Sequence, residues 1–373
     1  MYSKKTILLM LISLSFWTCN QPYSDEATDS DFNRLSSYDN GQITDIVYFG
    51  ASRLGYIDSN KKLKIFDTEE LAILDPFLFD DKTELNDAII SPNIDGSKAL
   101  FTIDRYNNIW ARKYSDALDD GWLGDAVKCS NSDIVHGDNS YPVRFTVNDD
   151  WTKIFILFDH PESSSTSIYD DSYILGKRTL YSGTLLLDDD GGIFEVESCD
   201  LLSELYYPSA GDSTFLSFEK DASNLYYDRG MLYILDPANS QIIVIESPDN
   251  IPALSQAINI EGPKKMVFDG ERIYVAKDGY KGVSVLGRDD HSSLGSFAEG
   301  FTVKDIFIDD ESNYIVLSCG YHGVLIYRID IDNYIEKVAV ATSFAYSSVL
   351  DNNILYVATK NGIEKIDLTE ELQ

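Results

Sequence analysis

The chain has 373 residues, 44% of them apolar and 12% aromatic, which is enough for a substantial core; 62 acidic side chains face 30 basic ones, a formal charge of −32. Such a surface repels phosphates, which argues against nucleic acid as a partner and against adhesion to anionic head groups through a basic patch. The four cysteines, Cys19, Cys129, Cys199 and Cys319, are too few for a disulfide scaffold.

In chain order, the first feature is a leader. Lys4 and Lys5 precede an apolar run from Ile7 to Trp17, and Thr18-Cys19 ends it. A basic start, a short apolar stretch and an abrupt stop make a secretory signal. Crossing the hydrocarbon takes roughly 20 apolar residues, more than this run supplies. The segment resembles a bacterial lipoprotein signal. Cys19 takes the place of the lipidated cysteine, with Phe16, Trp17 and Thr18 where Leu and small residues are usual. The resemblance implies that residues 1–18 are a removable signal and that Cys19 carries the lipid anchor. Asn20 rather than Asp follows it, which favours an outer-membrane lipoprotein, periplasmic or surface-exposed. The alternative is an ordinary secretory signal, with Cys19 removed or left free. Residues 19–43 are mostly polar and read as a flexible tether.

Residues 44–373 repeat. Met266-Val267-Phe268, Asp269-Gly270, Ile273-Tyr274-Val275-Ala276 and Gly282-Val283-Ser284-Val285 form one unit. Ile306-Phe307-Ile308 opens the next and Ser348-Val349-Leu350 the last; the marker glycines Gly282, Gly323 and Gly362 are 41 and 39 residues apart. Each unit reads strand, acidic turn, strand, Gly turn, strand. Looser copies begin at Ile46, Ala88, Val143 and Phe215, the last with Asn224-Leu225-Tyr226-Tyr227 as its second strand. No long stretch has helical periodicity. A period near forty with several strands per unit predicts an all-β chain, a β-propeller of seven blades, with six to eight compatible with the spacing. A pair of β-sandwiches is the competing architecture.

The three C-terminal units resemble LVIVD-type propeller repeats of bacterial cell-surface proteins. Ser91-Pro92-Asn93-Ile94-Asp95-Gly96 is similar to the Ser-Pro-Asp-Gly turn of TolB-like propeller repeats, with Asn93-Ile94 interposed. These resemblances imply a fold and hardly any activity, because propellers host many functions.

Motifs for chemistry are sparse. Asp188-Asp189-Asp190-Gly191-Gly192 lacks the alternation and closing Glu of an EF-hand loop, and His136, His160, His291 and His322 show no zinc-ligand spacing. No motif requires a cofactor; a divalent cation gathered by the acidic surface has no motif behind it. Cys129–Cys199 could pair in an oxidising compartment, whereas Cys319, ending an apolar strand, reads as a buried inert thiol. Cys319 and His322 are close enough in sequence for a thiol–imidazole pair, though solvated turn chemistry explains His322 as well.

One pattern recurs in the turns between second and third strands, which in a propeller open on the same face as the connections between blades. Lys61, Arg105, Arg229, Lys281, His322 and Lys360 supply a basic residue there, and Tyr106, Tyr280 and Tyr321 accompany them. An acidic body would then carry one cationic, aromatic-lined face, suited to a protein or to an anionic or glycan ligand. Two function classes follow. One is a lipid-anchored binding or scaffolding module at the cell envelope. The other is a propeller hydrolase or lyase acting on glycans or esters, which needs a polar, convergent channel.

Overall fold

The structure, a computed structural model, describes strands and turns between Asn33 and Leu372; residues 1–32 and the connections 75–84, 116–121, 129–140, 160–176 and 207–212, among shorter ones, lie outside the described residues. Described residues form strands and turns without a helix, in seven small antiparallel sheets. The first sheet is Ile43–Gly50, Arg53–Asp58, Leu63–Asp67 and Ala72–Leu74; the second is Leu85–Ile90, Ser97–Asp104, Ile109–Ser115 and Trp122–Lys128. The third is Tyr141–Val147, Lys153–Asp159, Lys177–Leu187 and Ile193–Leu201. The fourth begins with Asn224–Asp228, Met231–Asp236, Gln241–Glu246 and Ala253–Asn259 and adds two short outer strands. The fifth starts at Pro263–Phe268 and the sixth at Asp305–Asp309. The seventh is Ser347–Asp351, Ile354–Thr359 and Gly362–Asp367, completed by Asn33–Tyr38 from the other end of the chain.

The second strands explain why the sheets stack. Ile154-Phe155-Ile156-Leu157-Phe158 is apolar at every position and fully buried. Side chains alternate across a strand, so such a run must be covered on both faces. Ile154, Ile156 and Phe158 pack with Phe101, Ile103 and Ile109 of the second sheet. Phe155 and Leu157 turn the other way, onto Leu225, Leu232 and Ile234 of the fourth. The pattern continues, with Ile315 and Leu317 meeting Tyr274 of the fifth sheet, and Val316 meeting Leu355 and Val357 of the seventh. Val349, Tyr356 and Ala358 of the seventh sheet pack on Ile46, Leu54 and Tyr56 of the first. The first strands follow the same succession: each lies against that of the next sheet, and the seventh lies against the first. The result is a propeller-like all-β fold.

Two sequence expectations change. Asn33–Tyr38, assigned to the tether, is a strand antiparallel to Gly362–Asp367, pairing Asn33 with Asp367 and Tyr38 with Ile363. It escapes the hydrophobic pattern because its attachment is a backbone ladder and its sequence, NRLSSY, is polar. The fourth unit also shifts by one strand. Asn224–Asp228 is a first strand, and Ser217–Glu219 pairs instead with Lys177–Thr179 of the third sheet. Arg229-Gly230, with φ of 47° and 77°, closes the tight hairpin between first and second strands.

The marker glycines have a steric reason. A Cβ on Gly323 would stand 2.0 Å from the Val340 carbonyl oxygen, and one on Gly282 would stand 2.3 Å from that of Phe297; their φ values are 76° and 63°. The turn thus packs directly on the backbone at the end of the fourth strand. Gly323→Ala is expected to destabilise the protein by more than about 2 kcal/mol, combining left-handed strain with the clash. Gly279→Ala, at φ 70° but in open space, is expected to lose only about 1 kcal/mol. Urea denaturation of the two variants checks the difference.

Candidate binding site

The turn face divides the sequence candidates. Lys61, Lys281, His322 and Lys360 do lie between second and third strands, beside the connections that lead from sheet to sheet. Arg229 does not. Its hairpin puts it at the opposite end, where it pairs with Asp289 at 3.3 Å and donates to the Gly270 carbonyl at 3.0 Å. The second-to-third turn of that sheet is Pro237–Ser240 and has no basic residue. Arg105 and Tyr106 lie outside the described residues, as do His136, His160, Cys129, Cys19 and the Asp188–Gly192 run.

Two of the candidates meet. Lys360 Nζ donates to the Tyr321 hydroxyl at 2.7 Å and lies 4.3 Å from the centre of its ring and 5.0 Å from that of Phe344. Tyr321 is 73% exposed and Tyr280 is 68% exposed. Lys281 is neutralised by an ion pair with Glu261, and the His322 ring stands edge-on to Phe301. Cys319 is buried against the Leu317 carbonyl, and burial pushes its thiol up to about 12, so it is inert as a nucleophile. Among the described residues no cluster of His, Cys, Asp or Glu is arranged to hold a metal ion.

Sequence reasoning missed a larger feature. A cavity of about 1090 Å³ lies between the first strands of the first five sheets, with Lys304 at the approach to the sixth. Among the described residues its charged lining is Asp45, Asp87, Arg144, Arg178, Lys264, Lys265, Asp278 and Lys304. The inner charges arise from a recurrent local device. In four sheets the first strand carries an extra residue near its start, between Ile43 and Asp45, Leu85 and Asp87, Pro142 and Arg144, and Pro263 and Lys265. A bulge re-aims the side chain that follows it. In each case that side chain is charged and lines the cavity.

These groups form a belt from sheet to sheet. The Phe145 amide donates to Asp87 at 3.2 Å, and Arg144 stands 4.0 Å from the same carboxylate. Arg144 Nε donates to Asn224 Oδ1 at 2.9 Å, and Asn224 donates to the Lys264 carbonyl. Lys265 pairs with Asp305 at 2.8 Å, and Ser347 donates its hydroxyl proton to that carboxylate. Asp45 stands apart, because among the described residues its carboxylate accepts only the neighbouring Ile46 amide, at 2.9 Å. Burial raises the pKa of Asp45 and of Asp87; Lys265 and Arg144, respectively, offset part of that rise. Burial also opposes the charge on Lys265, but Asp305 and Asp45 outweigh it and its pKa is raised. Towards the rim, Lys264 pairs with Asp278 at 2.9 Å and Arg178 with Asp159 at 3.6 Å.

The belt did leave a trace in the sequence. A polar or charged residue stands immediately before the side chains that open the apolar stretch in six of the first strands, Asp45, Asp87, Arg144, Asn224, Lys265 and Asp305, and the pair Ser347-Ser348 does so in the seventh.

No known protein family matches the chain, and no curated protein is significantly similar to it. Among solved structures, its fold is similar to that of the computationally designed Ika8 protein, with TM-score 0.50 and 11% identity over 89% of this chain and 98% of that one. It is also similar to a chain in the crystal structure of a Mitotic Checkpoint Complex, with TM-score 0.53 and 11% identity over 93% and 98% of the two chains. At such identity the likeness concerns fold alone: a propeller-like arrangement of small antiparallel sheets.

Proposed function

We propose that this chain is a lipid-anchored β-propeller of seven blades at the cell envelope, acting as a binding module for a ligand or protein partner. The observation that carries the reading is the cavity between the first strands, rimmed by polar side chains that the sheets themselves hold in place. A rigid frame of this kind presents its contacts with little ordering on binding. The circuit of first-strand contacts from sheet one to seven and back supports a closed ring. The basic, apolar and cysteine-ended leader supports the anchor.

The anchor is tested by Cys19→Ser. Loss of radiolabelled fatty acid and release from the membrane fraction are the expected outcome; a variant that stays labelled and sedimenting would exclude Cys19 as the attachment point. Chains of the lipid anchor each bury many CH₂ groups, at ~0.8 kcal/mol apiece, so the effect on partitioning is large.

A hydrolase or lyase reading draws on one observation. Asp45 and Asp87, both carboxyls with raised pKa, share the cavity, as an acid–base pair would. Turnover of model glycosides or esters that disappears in Asp87→Asn would favour that reading over pure binding.

A further inference from the structure

Resting on the reading of this cavity as a ligand site, a charge balance of its lining narrows the ligand. Arg144 stands by Asp87, Lys265 by Asp305, Lys264 by Asp278 and Arg178 by Asp159. Among the described residues two charges are left over, one of each sign. Asp45, inside, has no cation within ion-pair distance among the described residues, and its carboxylate accepts one backbone amide. Lys304, exposed at the mouth, makes no ion pair among the described residues and acts on Asp278 only through space. Lys265 and Arg144 act on Asp45 only through space, and a half-buried carboxylate that no cation touches still gains from a charged hydrogen-bond donor supplied by a ligand.

Bare anions meet Asp45 unfavourably, and polycations meet Arg178, Lys264 and Lys304 near the mouth. A molecule that carries an ammonium at one end and an acid at the other satisfies both leftovers. We infer that the cavity binds a small zwitterion with a primary ammonium, of the amino-acid or short-peptide kind, its ammonium directed to Asp45 and its acid group toward Lys304. The groups facing Asp45 are Lys265, Asp305, Arg144 and Asp87, from the fifth, sixth, third and second sheets. They fix the sign of the pH response: binding weakens as pH falls and Asp45 takes up its proton.

Isothermal titration of the purified protein with a panel of free amino acids and dipeptides, each beside its N-acetyl form, tests the inference. At least one free-amine member is expected to saturate the protein. Its N-acetyl form, and the same ligand with Asp45→Asn, are expected to bind about tenfold more weakly or worse. Lys304→Gln should lose only a few-fold, because the ammonium is solvated. The acetyl comparison uses the unaltered protein, so it stands even where the Asn variant folds poorly. Equal affinity for free and acetylated forms overturns the inference. A ligand retained by Asp45→Asn but lost in Arg144→Gln overturns the zwitterion and keeps the cavity as a site. Failure of zwitterions, simple amines and simple anions alike overturns both.

Discussion

Deleting residues 33–38 is expected to lower the unfolding midpoint by about 10 °C and to make the protein associate. The strand they form is the fourth strand of the seventh sheet, and its partner Gly362–Asp367 is otherwise an edge. Removing the strand forfeits the whole ladder, several kcal/mol of backbone hydrogen bonding. It also opens a row of unpaired amides and carbonyls to other molecules. Differential scanning fluorimetry and light scattering read the two effects. A synthetic peptide spanning residues 31–40 should restore part of the midpoint by adding the strand back. A monomeric deletion variant with an unchanged midpoint would show that the strand contributes nothing to the frame.

Replacing Lys265 by Met is expected to destabilise the protein by about 2 to 3 kcal/mol near neutral pH. The ammonium pairs with Asp305 and faces Asp45, and removing one partner of a partly buried pair, whose side chains are 31% and 11% exposed, leaves the carboxylates less compensated. The dependence on pH has a definite sign. Asp45 and Asp87 already have folded-state pKa values above the ordinary 3.8. Between 3.8 and the raised values the folded protein holds more protons than the unfolded chain, so in that window stability rises as pH falls. The variant moves both carboxyls further up, and its deficit should therefore shrink on going from about pH 7 to about pH 5. The contribution of Lys265 itself is fully present below its ordinary pKa of 10.5 and is lost only as pH rises through the higher folded value. Urea midpoints at the two pH values provide the check. A deficit that grows on acidification would refute the account of the belt.

The sequence revealed most of the sheets because their second strands are apolar on both faces and end in acidic or Gly turns. Ile273–Ala276, Ile315–Leu317 and Leu355–Ala358 announce themselves in this way. The fourth unit was misread because Phe215–Phe218 has the composition of a first strand, and composition does not say which neighbour a strand joins. That slip carried Arg229 to the wrong end. The belt was harder still. Asp45, Asp87, Arg144 and Lys265 are visible as charges beside apolar triplets, but whether they face a neighbour or the cavity depends on one inserted residue per strand. That insertion is a property of pairing register, which single-strand patterns do not contain. The Tyr321–Lys360 contact was legible only as two residues at matching turns; the ring of Phe344 that completes it comes from a connection with no repeat signature.

The pairing of Asn33–Tyr38 with Gly362–Asp367 also orders events in time. The ribosome makes this strand before any sheet and finds its mate only when the final hairpin emerges. Through that wait it must stay single without sticking to nascent edges. A sequence of Asn, Arg, Leu, Ser, Ser and Tyr is well suited to patience of that sort. Completion of the seventh sheet is therefore the terminal act of folding, and a chain stalled short of residue 362 has no means of performing it.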